Sequence, residues 1–282
     1  PLRAIGGVMN YGELRTAAGR VLSRQRVAVW DRELGEFCVG VHRAELLALL
    51  LGPLDPSRVH FDRRCVDVID DGERVRARFA NGHADEADLL VAADGLNSVV
   101  RAALHGDHPP RYSGYTCWRG IAQSHNSLIP PGHLCEIWGR GRRFGFLSLG
   151  GARVYWFATL NAPPNGRDLD GRAARTSLLS LFGDWFGPPR ALLEATPDDA
   201  IIRNDILDRP PARNWGRGRI TLLGDAAHPT TPNIGQGACM AIEDALVLAR
   251  ALRPFAHTLL RHRRSRRRSG SMSDRARPAR PR

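Results

Sequence analysis

The chain has 282 residues, enough for one large or two medium domains, and its 43% hydrophobic and 25% charged content suits a packed core and excludes wholesale disorder. The formal net charge is +12, yet all 41 basic side chains are Arg, and ten of them lie between Arg261 and Arg282 against one acid, Asp274. The excess positive charge therefore belongs mainly to the tail, which argues against a specific nucleic-acid surface. Five cysteines, an odd number with no CxxC pair, point to reduced thiols in a cytoplasmic protein rather than a disulfide framework or a zinc site. No apolar run approaches the roughly 20 residues of a membrane span. There is no signal peptide, and the start at Pro1 rather than Met raises the expectation of a fragment.

Residues 1–40 are weakly patterned, with Arg20–Arg32 readable as an exposed strand or extended segment. His42–Leu51 (HRAELLALLL) predicts a helix ended by Gly52-Pro53. Arg43 sits in its first turn, the wrong end for a cation unless an anion is met there. A β-rich run follows: strands at Arg58–Phe61, Cys65–Ile69 and Arg74–Phe79, with turns at Asp70-Asp71-Gly72 and Asn81-Gly82. Leu89–Ala93 is an apolar strand of the kind found in parallel sheets. It runs into Asp94-Gly95, after which Asn97 or Ser98 can cap a helix that carries Arg101 one turn in.

Pro109-Pro110 marks a boundary. From Arg111 to about Asp208 the segments YSGYTCWRGIA, CEIWGRGRRFGFLSL and ARVYWFATL read as strands of a second, sheet-based domain. Gly139–Gly141 and Gly150-Gly151 are its turns, and Arg172–Phe182 is helical. Ile220–Leu223 is a short buried strand. Gly224-Asp225 follows at its carboxyl end, where open α/β sheets place ligands. A loop stiffened by Pro229 and Pro232 leads to Gly235-Gln236-Gly237, which opens a helix with an apolar face of Ile242, Ala245, Leu246, Ala249 and Leu252. No partner of metal-ligand spacing accompanies His228, so no metal site is expected. Asp205 reads as a surface or capping residue. The tail from residue 254 lacks an apolar stripe and is expected to be disordered.

The stretch GDAAHPTTPNIGQGACMAIEDA, together with LLVAADGLNSVVR, closely resembles the second FAD-binding motif and the DG motif of the flavin-dependent aromatic hydroxylases, the p-hydroxybenzoate hydroxylase class. The similarity is greatest to the salicylate hydroxylase, urate hydroxylase and zeaxanthin epoxidase branch. The resemblance implies a mixed α/β fold. A Rossmann-type FAD-binding domain (1–109, resumed at 209–253) would carry an inserted β-sheet substrate domain (110–208) and a basic tail (254–282). It implies cofactor contacts from Arg43, Val66, Asp94, Gly95, Arg101, Asp225, Pro232, Gly235, Gln236, Gly237, Ala238 and Cys239. His228 and Pro232 would lie near the flavin ring. By the same resemblance Arg143 and Tyr155 would hold the substrate, although aromatic strands of this kind are also ordinary sheet faces.

The implied activity is an FAD-dependent monooxygenase. NADPH or NADH would reduce FAD, and a flavin C4a-hydroperoxide would hydroxylate or epoxidise a small aromatic or conjugated substrate. The strand–GxGxxG–helix unit that opens such domains is absent: nothing before His42 supplies it, and Gly6-Gly7 is not that turn. The FAD domain is therefore expected to be N-terminally incomplete. The alternatives are an inactive truncated fragment or pseudoenzyme that does not retain FAD, and a non-oxygenating flavin oxidoreductase. A halogenase is disfavoured because the chain has no Lys.

Overall fold

A computed structural model describes residues 1–27, 38–123 and 129–255. The tail beyond residue 255 and the part of Arg20–Arg32 beyond residue 27 lie outside the described residues. In chain order the elements are α1 (Leu2–Ile5), β1 (Gly7–Val8), β2 (Tyr11–Thr16), β3 (Val21–Arg26), β4 (Val39–Gly40), α2 (Arg43–Leu51), β5 (Cys65–Asp70), β6 (Val75–Phe79), β7 (Ala84–Ala87), β8 (Leu90–Ala92) and α3 (Val99–His105). They continue with β9 (Arg111–Gln123), β10 (His133–Gly139), β11 (Arg142–Gly150), β12 (Arg153–Asn161), α4 (Gly171–Phe182), α5 (Pro189–Glu194), β13 (Ile202–Asp208), β14 (Gly216–Arg217), β15 (Ile220–Leu222) and α6 (Gly237–Leu252). The described residues form two compact units: those of Pro1–His60 with Tyr112–Ile206, and those of Phe61–Arg111 with Leu207–Phe255.

The first unit is built on a seven-stranded sheet of order β13-β9-β12-β11-β10-β2-β3. Strand alternation puts Phe144, Phe146, Trp156 and Ala158 on one face, where they cluster with Leu178 and Phe182 of α4 and Leu192 and Leu193 of α5. Trp156 is fully buried and donates its indole N–H to Thr196 Oγ1 at 2.8 Å, so the ring loses no hydrogen bond by leaving water. Asp170 caps α4 by accepting from the Ala173 N–H at 2.7 Å. Asp205 lies within β13 and accepts from the Asn165 N–H at 2.6 Å, a loop-capping role.

Residues 1–40 carry no clear pattern because β3 is exposed at every residue and β2 buries only Glu13. Glu13 is held by Arg15 Nε at 2.7 Å and Arg24 Nε at 2.6 Å. Burial pushes its carboxyl upward, but the two guanidiniums outweigh burial and hold it below the usual range. Residues 1–60 group with the sheet, whereas the sequence reading joined 1–109 in one segment. The cause is the parallel pairing of β2 with β10, in register Glu13↔Cys135, together with the Glu45–Arg153 ion pair at 2.6 Å.

The second unit contains the antiparallel meander β5-β6-β7 and the sheet β14-β15-β8, in which β15 and β8 run parallel. Its core is Val75, Ala92, Val100, Ile220, Leu222, Ala226 and Ala227. The turn at Asp71-Gly72 forms as expected, with Gly72 at φ +88° and Asp71 accepting from the Glu73 and Arg74 N–H groups. The strand expected at Arg58–Phe61 is absent. Asp55 instead caps Ser57 at 3.0 Å and, with Pro56 in first position, winds Pro56–Arg58 into a 3-10 turn. β7 reads ADEA, too polar to signal a strand; its pairing with β6 makes it one.

The apolar face of α6 is real but uncovered. No residue of this helix is buried, and Ile242, Leu246 and Val247 are 49%, 52% and 64% exposed. β8 ends its sheet with Val91 at 40% exposure, and among the described residues its second edge has no strand partner.

This contrast predicts opposite outcomes for two truncations. Leu178→Ala should cost about 2–5 kcal/mol in urea unfolding of the chain, as for a fully buried leucine. Leu246→Ala should stay within about 0.5 kcal/mol. Equal losses at both positions would contradict the packing described.

Candidate functional site

The two motif loops of the second unit are brought together by strand pairing. β8 and β15 are parallel in register Leu90↔Ile220 and Ala92↔Leu222, and the Leu223 N–H donates to Ala92 O at 2.9 Å. Asp94-Gly95 and Gly224-Asp225 therefore leave the same, carboxyl end of neighbouring strands. Asp94 turns back on its own helix, accepting from the Val99 and Val100 N–H groups at 2.9 and 3.4 Å. Ser98 is the N-cap, accepting from the Arg101 N–H at 2.8 Å, and Asn97 is not. Gly95 at φ +79° has open space where a side chain would stand.

Asp225 is exposed and has no hydrogen bond or ion pair among the described residues, so its carboxylate is free to accept from a ligand. The chain then passes His228 and the 3-10 turn Pro232–Ile234, and reverses at Gly235 with φ +66°. α6 starts without a side-chain cap. Pro232, Gly235, Gln236, Ala238 and Cys239 are exposed and Gly237 half-buried, so the first N–H groups of a sixteen-residue helix face outward with their partial positive charge.

Three side chains fix this surface. Arg101 Nη1 donates to the carbonyls of Ala226 and Ala227 at 2.9 and 2.7 Å, and its Nη2 donates to Pro210 O at 3.0 Å. Arg209 donates through Nε to Leu96 O at 2.7 Å and through Nη1 to His108 O. Asp244 of α6 accepts from the Gly224 N–H at 3.0 Å and pairs with His228 Nε2 at 2.6 Å, with the Trp215 ring 4.9 Å from the imidazole. Burial, and then the neighbouring Arg209 guanidinium, lower the pKa of Arg101. No carboxylate compensates either arginine among the described residues. A cavity of about 370 Å³ beside them is lined by Ser98, Arg101, Asp107, His108, Arg209 and Arg213, among others.

Asp244 and Arg209 are missing from the sequence reading. Asp244 was legible only as a helix acid in IEDA, because its target loop is fixed by the fold. Arg209 lies between two turn prolines that carry no periodic signal. Val66 is on β5 and 41% exposed.

In the first unit Arg43 begins α2, exposed and without a partner among the described residues. Arg143 and Tyr155 point to the sheet face opposite the packed core, but not to one spot. Arg143 is in register with Thr159 and Tyr155 with Leu147, four positions apart, or about 13 Å along the strands. Arg143 Nη1 also pairs with Glu136 at 2.9 Å. The residue nearest Tyr155 in charge is Arg119, in register with Phe157 between those two rows. The alternation of YTCWRGI carries the signal, since positions 115, 117, 119 and 121 share a face.

One group of donors resembles a metal centre: Glu13, His133 and Cys135 bring ligand atoms within 4.8 Å of one another. Arg15 and Arg24 already neutralise the carboxylate, and burial pushes the Cys135 thiol up to about 12. A dication would have to displace two guanidiniums, so the donor set does not fit one.

Paired strand-end loops beside an open helix N-terminus define a cofactor-binding α/β protein. The chain belongs to the FAD-binding domain family, whose model matches residues 45–260. It is 42% identical over 249 residues to aurachin C monooxygenase/isomerase of Stigmatella aurantiaca, covering 88% of this chain and 64% of that relative. It is 42% identical over 210 residues to chloroplastic zeaxanthin epoxidase of Solanum lycopersicum, covering 74% and 31%. The structure of Klebsiella pneumoniae HpxO complexed with FAD and uric acid aligns with a TM-score of 0.83 at 32% identity, covering 89% of this chain and 65% of that one. The chain thus spans less than two thirds of these relatives. The fold is that of the FAD-dependent monooxygenase structures, and FAD is the family's cofactor.

The Asp244 tie makes its own prediction. Asp244→Ala leaves the Gly224 N–H and the His228 ring without their acceptor and should cost about 1–3 kcal/mol in denaturant unfolding. Asp244→Asn, which keeps an acceptor oxygen, should cost less. Unchanged stability in both would show that the tie carries no load.

Proposed function

We propose that this chain serves an FAD-dependent monooxygenase that uses NADPH or NADH and O₂ to oxygenate a small aromatic or conjugated substrate. The single observation that carries the reading is the pair of motif loops at the carboxyl ends of β8 and β15, with the Asp225 carboxylate unspent between them and the start of α6. The residues present suit the cofactor. Gly95 and Gly235 leave backbone open where a Cβ would meet nothing within 4 Å, which permits close approach of a planar ring or a phosphate. FAD, when bound, supplies the hydride acceptance and oxygen activation that no side chain here provides.

The protein's own part is to bind and orient. Asp225 accepts hydrogen bonds from sugar-like hydroxyls. The N–H groups at Gly237, Ala238 and Cys239 would favour negative charge on a bound cofactor. Pro232 and His228 bound the loop that would hold it, and Asp244 fixes the imidazole. Arg101 acts chiefly by holding the Ala226 and Ala227 carbonyls, and so sets the loop. Arg43, unpaired among the described residues at the start of α2, offers its own unit an anion-binding donor. The cleft at Arg101, Arg209 and Arg213 supports a phosphate-bearing reductant, because its three guanidiniums form no ion pair among the described residues and outnumber Asp107, the one acid in its lining. The face of the first unit's sheet that carries Arg143 and Tyr155 serves the substrate.

No described helix is long and apolar enough to cross a membrane, and the described cysteines are all free, which supports a cytoplasmic location. A second reading, an inactive piece of this family that does not retain FAD, is favoured by the uncovered apolar face of α6. A visible spectrum of the purified chain with added FAD separates the two, since only the first gives a bound, yellow protein.

For the cofactor, Asp225→Ala should weaken FAD binding by about one to two decades in a fluorescence titration, as expected for a lost charged hydrogen-bond partner worth roughly 1.5–3 kcal/mol. Unchanged affinity would remove Asp225 from the site.

A further inference from the structure

We infer that the seam between β2 and β10 is an acid-released latch: uptake of a proton by His133 loosens the β2–β3 hairpin from the edge of the first unit's sheet. The hairpin ends the strand order, and β2 joins the rest of the sheet through its parallel pairing with β10. That pairing sets Tyr11 beside His133 and Glu13 beside Cys135. These side chains turn to the packed face, where Cys135 and Phe146 belong to the core. His133 is 11% exposed, with the Tyr11 ring stacked on it at 4.5 Å and the Phe146 ring edge-on at 5.7 Å. Neither of its ring nitrogens has a hydrogen-bond partner among the described residues. Nε2 lies 3.5 Å from Glu13 Oε2, an oxygen that already accepts from Arg15.

The surroundings leave a proton on this ring poorly placed. The groups that face it are Tyr11, Glu13 and Arg15 of β2, Arg24 of β3, Cys135 of its own strand and the Phe146 ring of β11. Two guanidiniums already meet the one carboxylate, so the cluster carries positive charge in excess and an imidazolium adds to it. Burial pushes the Cys135 thiol up to about 12, so it supplies no anion. Burial lowers the pKa of His133, the pull of Glu13 opposes this, and Arg15 and Arg24 lower it further. A histidine held neutral in the closed seam stabilises it fully above about pH 6.5, the value of a free imidazole, and that contribution is lost as pH falls below it. The far end of the hairpin is held by backbone bonds: the Ala17 N–H donates to Trp138 O at 3.1 Å, and the Phe186 N–H donates to Ala17 O at 2.9 Å. Loosening therefore begins at the Tyr11 end.

The test is residue-resolved hydrogen exchange on the 282-residue chain from about pH 7.5 to about pH 5.5, corrected for the intrinsic pH dependence of exchange. Glu13, held below the usual carboxylate range, stays ionised throughout. The amides of Asn10 and Tyr11 donate to the Gly132 carbonyl next to His133. Their protection should fall by about two- to tenfold per pH unit below about 6.5, tenfold being the limit for one proton. The amides of Ala17 and Phe186 should keep theirs. An NMR titration of the His133 ring should give a midpoint below about 6.5. His133→Phe, which keeps a ring against Tyr11 and cannot titrate, should remove the pH dependence at Asn10 and Tyr11. Should that variant not fold, the exchange and the titration of the unmodified chain decide on their own. Unchanged protection at Asn10 and Tyr11, a midpoint at or above about 6.5, or the same pH dependence in His133→Phe overturns the inference. So does an equal loss at Ala17 and Phe186, which marks general acid unfolding.

Discussion

One guanidinium ties the second unit together. Arg101, one turn into the helix that follows the first motif loop, reaches 125 residues along the chain to hold the carbonyls of Ala226 and Ala227 in the second loop. Strand pairing alone fixes β8 and β15 only as far as Ala92 and Leu222. Beyond those residues the loops would be free to diverge. The two carbonyls held by Arg101, with the Asp244 clamp on Gly224 and His228 from the other side, turn two loops into one surface of set shape. Because the acceptors are buried neutral carbonyls, the cation is not cancelled. The same bonds that set the shape also keep positive charge beside it.

That arrangement separates side chains that hold the site from those left to meet a ligand. Arg101, Arg209 and Asp244 spend donors or acceptors on the protein itself. Asp225 and the first N–H groups of α6 spend none. The division has a physical basis: preorganised groups lose little freedom on binding, and unspent ones lose no existing bond. The sheet of the first unit repeats it. Glu136 occupies Arg143, while Arg119, two strands away from Arg143, holds no acid.

How much of this was legible in the sequence depended on the range of the interaction. The helix at Arg43–Leu51, the Asp71-Gly72 turn, the Ser98 cap and the strands at Leu90 and Ile220 follow from local chemistry, and they stand where expected. The motif strings carried the FAD-binding family assignment. Three things were not local. Arg58–Phe61 has strand composition, but Asp55 and Pro56 wind its start. β2 and β3 lack a hydrophobic pattern, because one is tied through a buried, doubly ion-paired Glu13 and the other is exposed throughout. That Arg143 finds Glu136 across a strand pair, while Arg119 has no carboxylate within ion-pair distance among the described residues, is a matter of register that spacing along one strand does not contain.

The grip of Arg101 on the second loop is the claim most directly open to measurement. The amides of Leu223, Ala227 and His228 donate to Ala92 and Gly224 carbonyls in the closed arrangement, so hydrogen exchange reports on it residue by residue. In an Arg101→Leu variant, which keeps bulk but removes the donors, protection at these three amides should fall by at least about tenfold, while strands β9 to β12 keep theirs. Unaltered protection at Leu223, Ala227 and His228 would show that the loop holds its shape without Arg101 and would contradict the account.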